Sequence, residues 1–229
     1  MITYNQCKEF RNFDSDTGRT YEVPTGVYPS VTTVLGATGQ KGWLTAWRDS
    51  VGAEEADRIL LEASERGTKV HHIIEQLYTK HSCPSLEDAA LFFKQLENEP
   101  SHIVTMAKNL IKILVNNNYN SIAQEFVVWD DELKIAGRCD SIGYWNGKFA
   151  LVDFKTSRKK KQRAHIDNYF LQASAYCKAH NRLFEQKIDR FIIVIVNEEG
   201  TSQIFTGNPI HHIPDLRYRV NKFYSAKGN

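Results

Sequence analysis

The chain has 229 residues, 41% of them hydrophobic, and its 29 lysines and arginines nearly balance 27 aspartates and glutamates for a formal net charge of +2. That apolar content excludes a disordered chain and is enough for one good-sized core. The small net charge excludes long-range attraction of nucleic acid by the molecule as a whole, so such attraction must come from a local patch, and no apolar run reaches the length of a membrane span.

Taken in chain order, the part up to about residue 120 reads as mostly helical, with helix periodicity over 41–64, 68–80, 85–97 and 101–117. In the second of these, Val70, Ile73, Ile74 and Leu77 mark a buried stripe with His71 at its margin. From Ile122 onward the pattern predicts strands over 122–130, 133–143, 149–155, 190–196 and 201–206, and helices over 168–180 and 210–224. A helix between the third and fourth strands predicts a crossover connection. No Pro/Ser/Gly-rich linker interrupts the chain, so we expect a single domain over 1–229, in which a helical cap (1–120) covers an α/β core (121–229).

The chemistry gathers in Gly137-Arg-Cys-Asp140 and, after a short turn, Phe149-Ala-Leu-Val-Asp-Phe-Lys-Thr156. The intervening Asn146-Gly147 predicts a tight two-residue hairpin. Asp153 and Lys155 then leave one face of their strand and Val152 and Phe154 the other, which predicts one charged face and one apolar face. Carboxylates on neighbouring strands that converge on one point hold a hard divalent cation, and an ammonium beside them can sit against the phosphate the cation polarises. An acidic residue two before a lysine occurs three times, but Glu132-Leu-Lys134 and Glu185-Gln-Lys187 lie in polar stretches with no aspartate on a neighbouring strand. By itself the Asp153/Lys155 pair reads first as an exposed ion pair on an edge strand, and only its wider context reverses that reading.

Four further features accompany this hairpin. Arg158, Lys159, Lys160, Lys161 and Arg163 put five basic residues into six positions just after Lys155, either a solvated loop or a phosphate-binding patch. Trp43 and Trp47, four apart on a helix, form either a core face or, with Tyr169, a platform for unpaired bases. Gln172 and Tyr176 share a helix face, either packed on the sheet or lining the path of a strand. Cys7, Cys83, Cys139 and Cys177 have no Cys-x-x-Cys spacing and read as free thiols.

Five of these segments together resemble the RecB-type branch of the PD-(D/E)xK nucleases. Arg66-Gly-Thr-Lys-Val-His71 is similar to that family's Gly-Thr-x-x-His element, and Glu125 in Ala123-Gln-Glu-Phe-Val-Val-Trp129 resembles the extra acidic residue some members carry. Gly137 to Asp140 resembles the Gly-x-x-Asp element, Val152-Asp-Phe-Lys-Thr156 the Asp-x-Lys-Thr element, and Gln172-Ala-Ser-Ala-Tyr176 the closing Gln-x-x-x-Tyr element. Order and rough spacing agree over about residues 29–180, including Tyr28-Pro-Ser-Val-Thr-Thr-Val34 and the two tryptophans. Within the branch, the likeness is to mitochondrial genome maintenance exonucleases and related phage exonucleases.

The resemblance implies a restriction-endonuclease-like α/β fold, a mixed sheet flanked by helices with a helical N-terminal cap. It implies Lys155, Asp153, Asp140 and Glu125 as catalytic residues, and a site for Mg²⁺ or Mn²⁺ made by His71, Asp140 and Asp153, with the Phe154 carbonyl or Glu125 as a further oxygen ligand. A nitrogen ligand shifts the preference somewhat towards manganese. Gln172, Tyr176, the basic run, Trp43, Trp47 and Arg66 are the expected nucleic-acid contacts. The iron–sulfur members carry three clustered cysteines near the carboxyl end, a cluster this chain lacks, so no iron–sulfur cofactor is expected. A Gly-x-x-x-x-Gly-Lys-Ser/Thr loop is also lacking, so a motor would be a separate helicase or recombination partner.

The expected function is a metal-dependent DNA exonuclease that acts on single strands or free ends in replication, recombination or DNA turnover. The alternatives are a structure-specific endonuclease on the same core, a non-catalytic nucleic-acid-binding module, and a metallohydrolase of small phosphoesters. With neither a signal peptide nor an Arg-rich transit segment in its opening residues, the chain is expected to be soluble and cytoplasmic, without membrane association, or in host cytoplasm if it belongs to a phage.

Overall fold

Alternate residues of the two central strands sort into separate cores, and this sorting defines the layers of the molecule. In the computed structural model, which describes residues 2–39, 42–96 and 98–227 and the side chains of all of these but 43, 44 and 227, Leu151, Phe191, Ile193 and Ile195 enter one core. Ala150, Val152, Phe154, Ile192, Val194 and Val196 enter the other. A strand buried on both faces reads as a continuous apolar run, as Phe191 to Val196 does.

The amino-terminal part contains α1 (Tyr4–Lys8), a meander of β1 (Asn12–Ser15), β2 (Gly18–Val23) and β3 (Gly26–Pro29), and then helices α2 (Val31–Thr38), α3 (Gly42–Val51), α4 (Ala53–Lys80), α5 (Leu86–Phe93) and α6 (Ser101–Asn116). The main sheet is β4 (Asn120–Asp130), β5 (Ile135–Trp145), β6 (Lys148–Ser157), β7 (Phe191–Asn197) and β8 (Ser202–Gly207), with α7 (Asp167–Leu183) between β6 and β7 and α8 (Ile213–Lys227) at the end. Its spatial order is β4-β5-β6-β7-β8. All neighbours are antiparallel except β6 and β7, which run parallel across the α7 crossover. This is the restriction-endonuclease-like mixed sheet, with α4, α5 and α6 over one face and α2, α7 and α8 over the other. Among the described residues no helix is long and apolar enough to cross a membrane.

The expected hairpin forms: Asn146 (φ 48°) and Gly147 (φ 75°) make the two-residue turn between β5 and β6. The first 120 residues are mostly helical and also contain the meander β1–β3 between α1 and α2; only Tyr21, Val23 and Pro29 of that meander are buried, so it carries little apolar signal. Two expectations need correction. The helix boundary expected near residue 66 falls instead at Gly52, whose φ of 88° suits glycine alone. Helix α4 runs unbroken through Gly67, where burial of the Val70–Leu77 stripe outweighs the roughly 1 kcal/mol that a mid-helix glycine costs. Finally, the charged face of β6 is not open: Asp153 is 1% exposed.

Candidate active site

The site forms where the sheet comes apart. The β5–β6 ladder runs from Trp145↔Lys148 to Ser141↔Val152 and stops before Asp140 and Asp153. Beyond that point β5 stays with β4, while β6 continues alongside β7 to Ser157↔Asn197. In place of the next ladder bond, the Phe154 N–H donates to Asp140 Oδ2 at 2.7 Å, so a side chain ties the strands together as they part. On the other side of β5, Gln124↔Ser141 and Phe126↔Cys139 are paired, while Glu125 and Asp140 stand opposite each other outside the ladder. Alternation slips here too: Cys139 belongs to the core under α7, whereas Ser141 bonds the Tyr119 hydroxyl on the other side of the sheet at 2.6 Å.

Helix α4 brings His71 to this gap. His71 Nε2 lies 3.0 Å from the Phe154 carbonyl oxygen, and since a carbonyl can only accept, Nε2 carries the hydrogen. That leaves the Nδ1 lone pair facing Asp140 Oδ1 at 3.6 Å and Glu125 Oε1 at 4.0 Å. The ligand atoms of His71, Glu125 and Asp140 all lie within 4.8 Å of one another. Three atoms of the kind that ligate metals thus point at one place. Burial, then Asp140, then Glu75 push the Glu125 carboxyl up to about 8.

Behind them, Asp153 and Lys155 form a second pair. Lys155 Nζ is 2.7 Å from Asp153 Oδ2, yet neither oxygen of the buried Asp153 carboxylate has a well-aligned hydrogen bond. Burial raises the Asp153 carboxyl, partly offset by Lys155. At Lys155 burial acts downward, and Asp153 and Asp140 outweigh it to hold the ammonium above its usual range. The ammonium also lies over the Tyr169 ring, 5.4 Å from its centroid.

These residues fit a divalent cation on their own chemistry. An imidazole that gives its N–H to a backbone carbonyl and offers its other nitrogen beside carboxylates is the usual arrangement of a metal-binding histidine. The two carboxylates supply hard oxygen donors, and the unsatisfied Asp153 carboxylate adds negative charge at their back. Asp153 itself is turned to Lys155 and stands outside the converging triplet, and the Phe154 carbonyl, expected as an oxygen ligand, accepts the His71 N–H.

The expected nucleic-acid contacts separate into tied and untied groups. Arg66 is buried and paired with Glu198 at 2.7 Å. Arg158 is held by Glu62 at 3.0 Å, and Arg163 by Asp167 at 2.5 Å, with its guanidinium over the Phe170 ring. Lys159 and Lys160 are exposed and Lys161 is partly so, and none of the three has a side-chain partner among the described residues. Tyr176 is buried, not at an open face: its ring fills the space where a Cβ on Gly137 would stand 2.4 Å from Cε1, so only glycine fits there. Its hydroxyl accepts from Gln172 Nε2 at 3.0 Å, and Gln172 is half-buried. Trp47 is half-buried on α3, and the Trp43 side chain lies outside the described residues.

Sequence reasoning missed two participants. Glu198, the partner of Arg66, carries no local signal and lies 132 residues away. Arg138 lies within the Gly-x-x-Asp element at a position that element leaves open; its Nη1 donates to the Glu125 carbonyl at 2.9 Å.

Comparison with known proteins agrees with this geometry. Residues 46–216 match the family described as the PD-(D/E)XK nuclease superfamily. Mitochondrial genome maintenance exonuclease 1 of Xenopus tropicalis is 25% identical over 183 residues, or 77% of this chain, and the chain spans only half (50%) of that relative's length.

Proposed function

The chain belongs to the PD-(D/E)XK nuclease superfamily, and from that premise we propose that it is a metal-dependent DNA exonuclease acting on single strands or free ends. The observation that carries the metal dependence is the convergence of His71, Glu125 and Asp140 beside the buried Asp153–Lys155 pair. The name of the distant relative supports exonuclease action, and a role in replication, recombination or DNA turnover goes with that reading.

His71 Nδ1, Glu125 and Asp140 would hold Mg²⁺ or Mn²⁺. The chemistry such a cation supplies when bound is polarisation of a phosphodiester oxygen and acidification of a water. The residues do the rest. Asp153 and the Tyr169 ring restrict the Lys155 ammonium, which keeps its proton and donates hydrogen bonds to the phosphate oxygen on which charge accumulates. His71 keeps its metal-facing nitrogen free by spending its one hydrogen on Phe154. Lys159, Lys160 and Lys161, next along the chain from β6, are free to contact backbone phosphates without reading sequence.

End-labelled linear single-stranded DNA and a circular strand of similar sequence, incubated with Mg²⁺, Mn²⁺ or EDTA, test this reading. Loss of the linear strand alone, abolished by EDTA and by Asp153→Asn, is expected. Cutting of the circle would make the protein an endonuclease, and cleavage in EDTA would refute the metal dependence.

A further inference from the structure

Four non-glycine residues have positive φ among the described residues: Asn118, Glu125, Lys134 and Asn146. Three of them lie in connections between elements, and Glu125 alone lies inside a strand, at φ 49°. A side chain there is held against its own backbone preference and stays only if its surroundings hold it.

We propose that Arg138 is the residue that holds it: a positioning residue that fixes Glu125 in this conformation and so delivers its carboxylate to the metal site beside Asp140 and His71. The inference rests on the metal reading above and adds a residue to it.

The local geometry gives the reason. Gln124 and Phe126 are paired with β5, and Glu125 between them is not. A carbonyl turned out of a ladder must find another donor or lose the free energy of a hydrogen bond. Arg138, opposite Val127 in the register, provides a charged N–H 2.9 Å from the Glu125 oxygen, stronger than the amide bond it replaces. Turning that peptide brings the Glu125 carboxylate within 4.0 Å of His71 Nδ1. The guanidinium also opposes the push that burial, Asp140 and Glu75 exert on the carboxyl. Its remaining donors are the rival explanation, since a half-exposed arginine beside the site could equally touch a DNA phosphate.

A double-mutant cycle on the whole chain separates the two, read by Mn²⁺ binding in calorimetry without DNA. Arg138→Met keeps the stem and removes the donor, and Arg138→Lys restores a charge and a donor. Each is placed in the wild-type and the Glu125→Gln backgrounds. The expected result is Mn²⁺ binding weakened about 10-fold by Arg138→Met, as is usual for groups that orient ligands, partly rescued by Arg138→Lys, with little further loss in the Glu125→Gln background. Equal losses in both backgrounds, or unchanged Mn²⁺ binding with slower DNA cleavage, would overturn the proposal and make Arg138 independent of Glu125. A wild-type chain that binds no Mn²⁺ would instead refute the metal reading from which the proposal starts. Far-ultraviolet circular dichroism identifies an unfolded variant; if Arg138→Met does not fold, Arg138→Gln takes its place and the same cycle decides.

Discussion

Where β4 turns into β5, Asp130 and Glu132 meet Lys178, Arg182 and Arg217 from α7 and α8, with Lys178 Nζ 2.9 Å from both carboxylates and Arg182 3.2 Å from Glu132. Further along the same two strands, Glu125 and Asp140 meet an imidazole nitrogen and a buried aspartate, and Lys155 pairs with that buried carboxylate. The first cluster has cations in excess, and hydrogen bonds from Lys178 and Arg217 hold the Glu132 carboxyl down to about 2. The second has carboxylates in excess, and Glu125 is pushed up to about 8. The difference is whether side chains complete the charge balance: the turn cluster is closed by its cations, and the cluster at the gap is left with carboxylates in excess, the balance that a cation site has.

The largest effect should come from removing the cation of the second cluster. Lys155→Met is expected to slow cleavage about 10²–10³-fold, the usual cost of losing a placed electrostatic contact to the reacting group. Lys155→Arg should not restore it, because the planar guanidinium is too bulky for a space bounded by Asp153 and the Tyr169 ring. Single-turnover rates on linear single-stranded DNA, with folding checked by circular dichroism, measure both. Full rescue by arginine would mean that any charge suffices there.

The turn cluster should respond in the opposite way. Asp130→Ala removes a 1% exposed carboxylate that accepts the Leu133 N–H at 2.8 Å and pairs with Lys178, leaving the N–H unbonded and the lysine with one partner fewer. We expect a loss of about 3 kcal/mol in urea unfolding, typical of breaking a buried ion pair from one side, with the cleavage rate kept wherever the variant is folded. If Asp130→Ala slowed cleavage as much as Lys155→Met, the two clusters would not be separable into structure and function.

Much of the main sheet was legible because its signals are local. Asn146-Gly147 marks the turn, the run Phe191–Val196 marks a strand buried on both faces, and the helix between β6 and β7 forces a crossover. The grouping of His71 with Asp140, Asp153 and Lys155 came from the family resemblance and not from spacing, and Asp153 stands behind the converging triplet. The part that was not legible depends on backbone departures from the ideal and on distant pairing. Alternation along β6 predicted a charged face but not that α7 would bury it, since coverage of a face is decided by the crossover and not by the strand. The positive φ of Glu125 and the hydrogen bond from Arg138 have no sequence signature, because glutamate is an unfavourable residue for that conformation. The meander β1–β3 was hidden by its exposure, and Arg66 was expected at the DNA because Glu198 could not be foreseen.

At the turn-cluster end of the sheet the acid response comes from a neighbouring buried ring. His180 lies on α7 between Lys178 and Arg182, but its ring is turned inward: it is 0% exposed, bonded to the Tyr4 hydroxyl at 3.0 Å and stacked on Phe184 at 4.7 Å. Burial lowers its pKa to about 4. Between that value and its ordinary 6.5 the unfolded chain binds a proton that the folded chain does not, so stability rises with pH across this window and is lost as pH falls from about 6.5 towards 4. The expected loss is about 3 kcal/mol, measured as urea midpoints in EDTA. In His180→Phe, which keeps the stacked ring, the slope across this window should flatten. Glu132, held low by its cations, gives way only at still lower pH, its contribution being lost between its ordinary 4.5 and about 2. The turn cluster should therefore outlast the histidine beside it, and an Asp130→Ala chain should show the His180 slope unchanged, displaced to lower stability throughout. A slope that vanished with Asp130→Ala would show that the ion pairs, and not the buried ring, set the acid response at this end of the sheet.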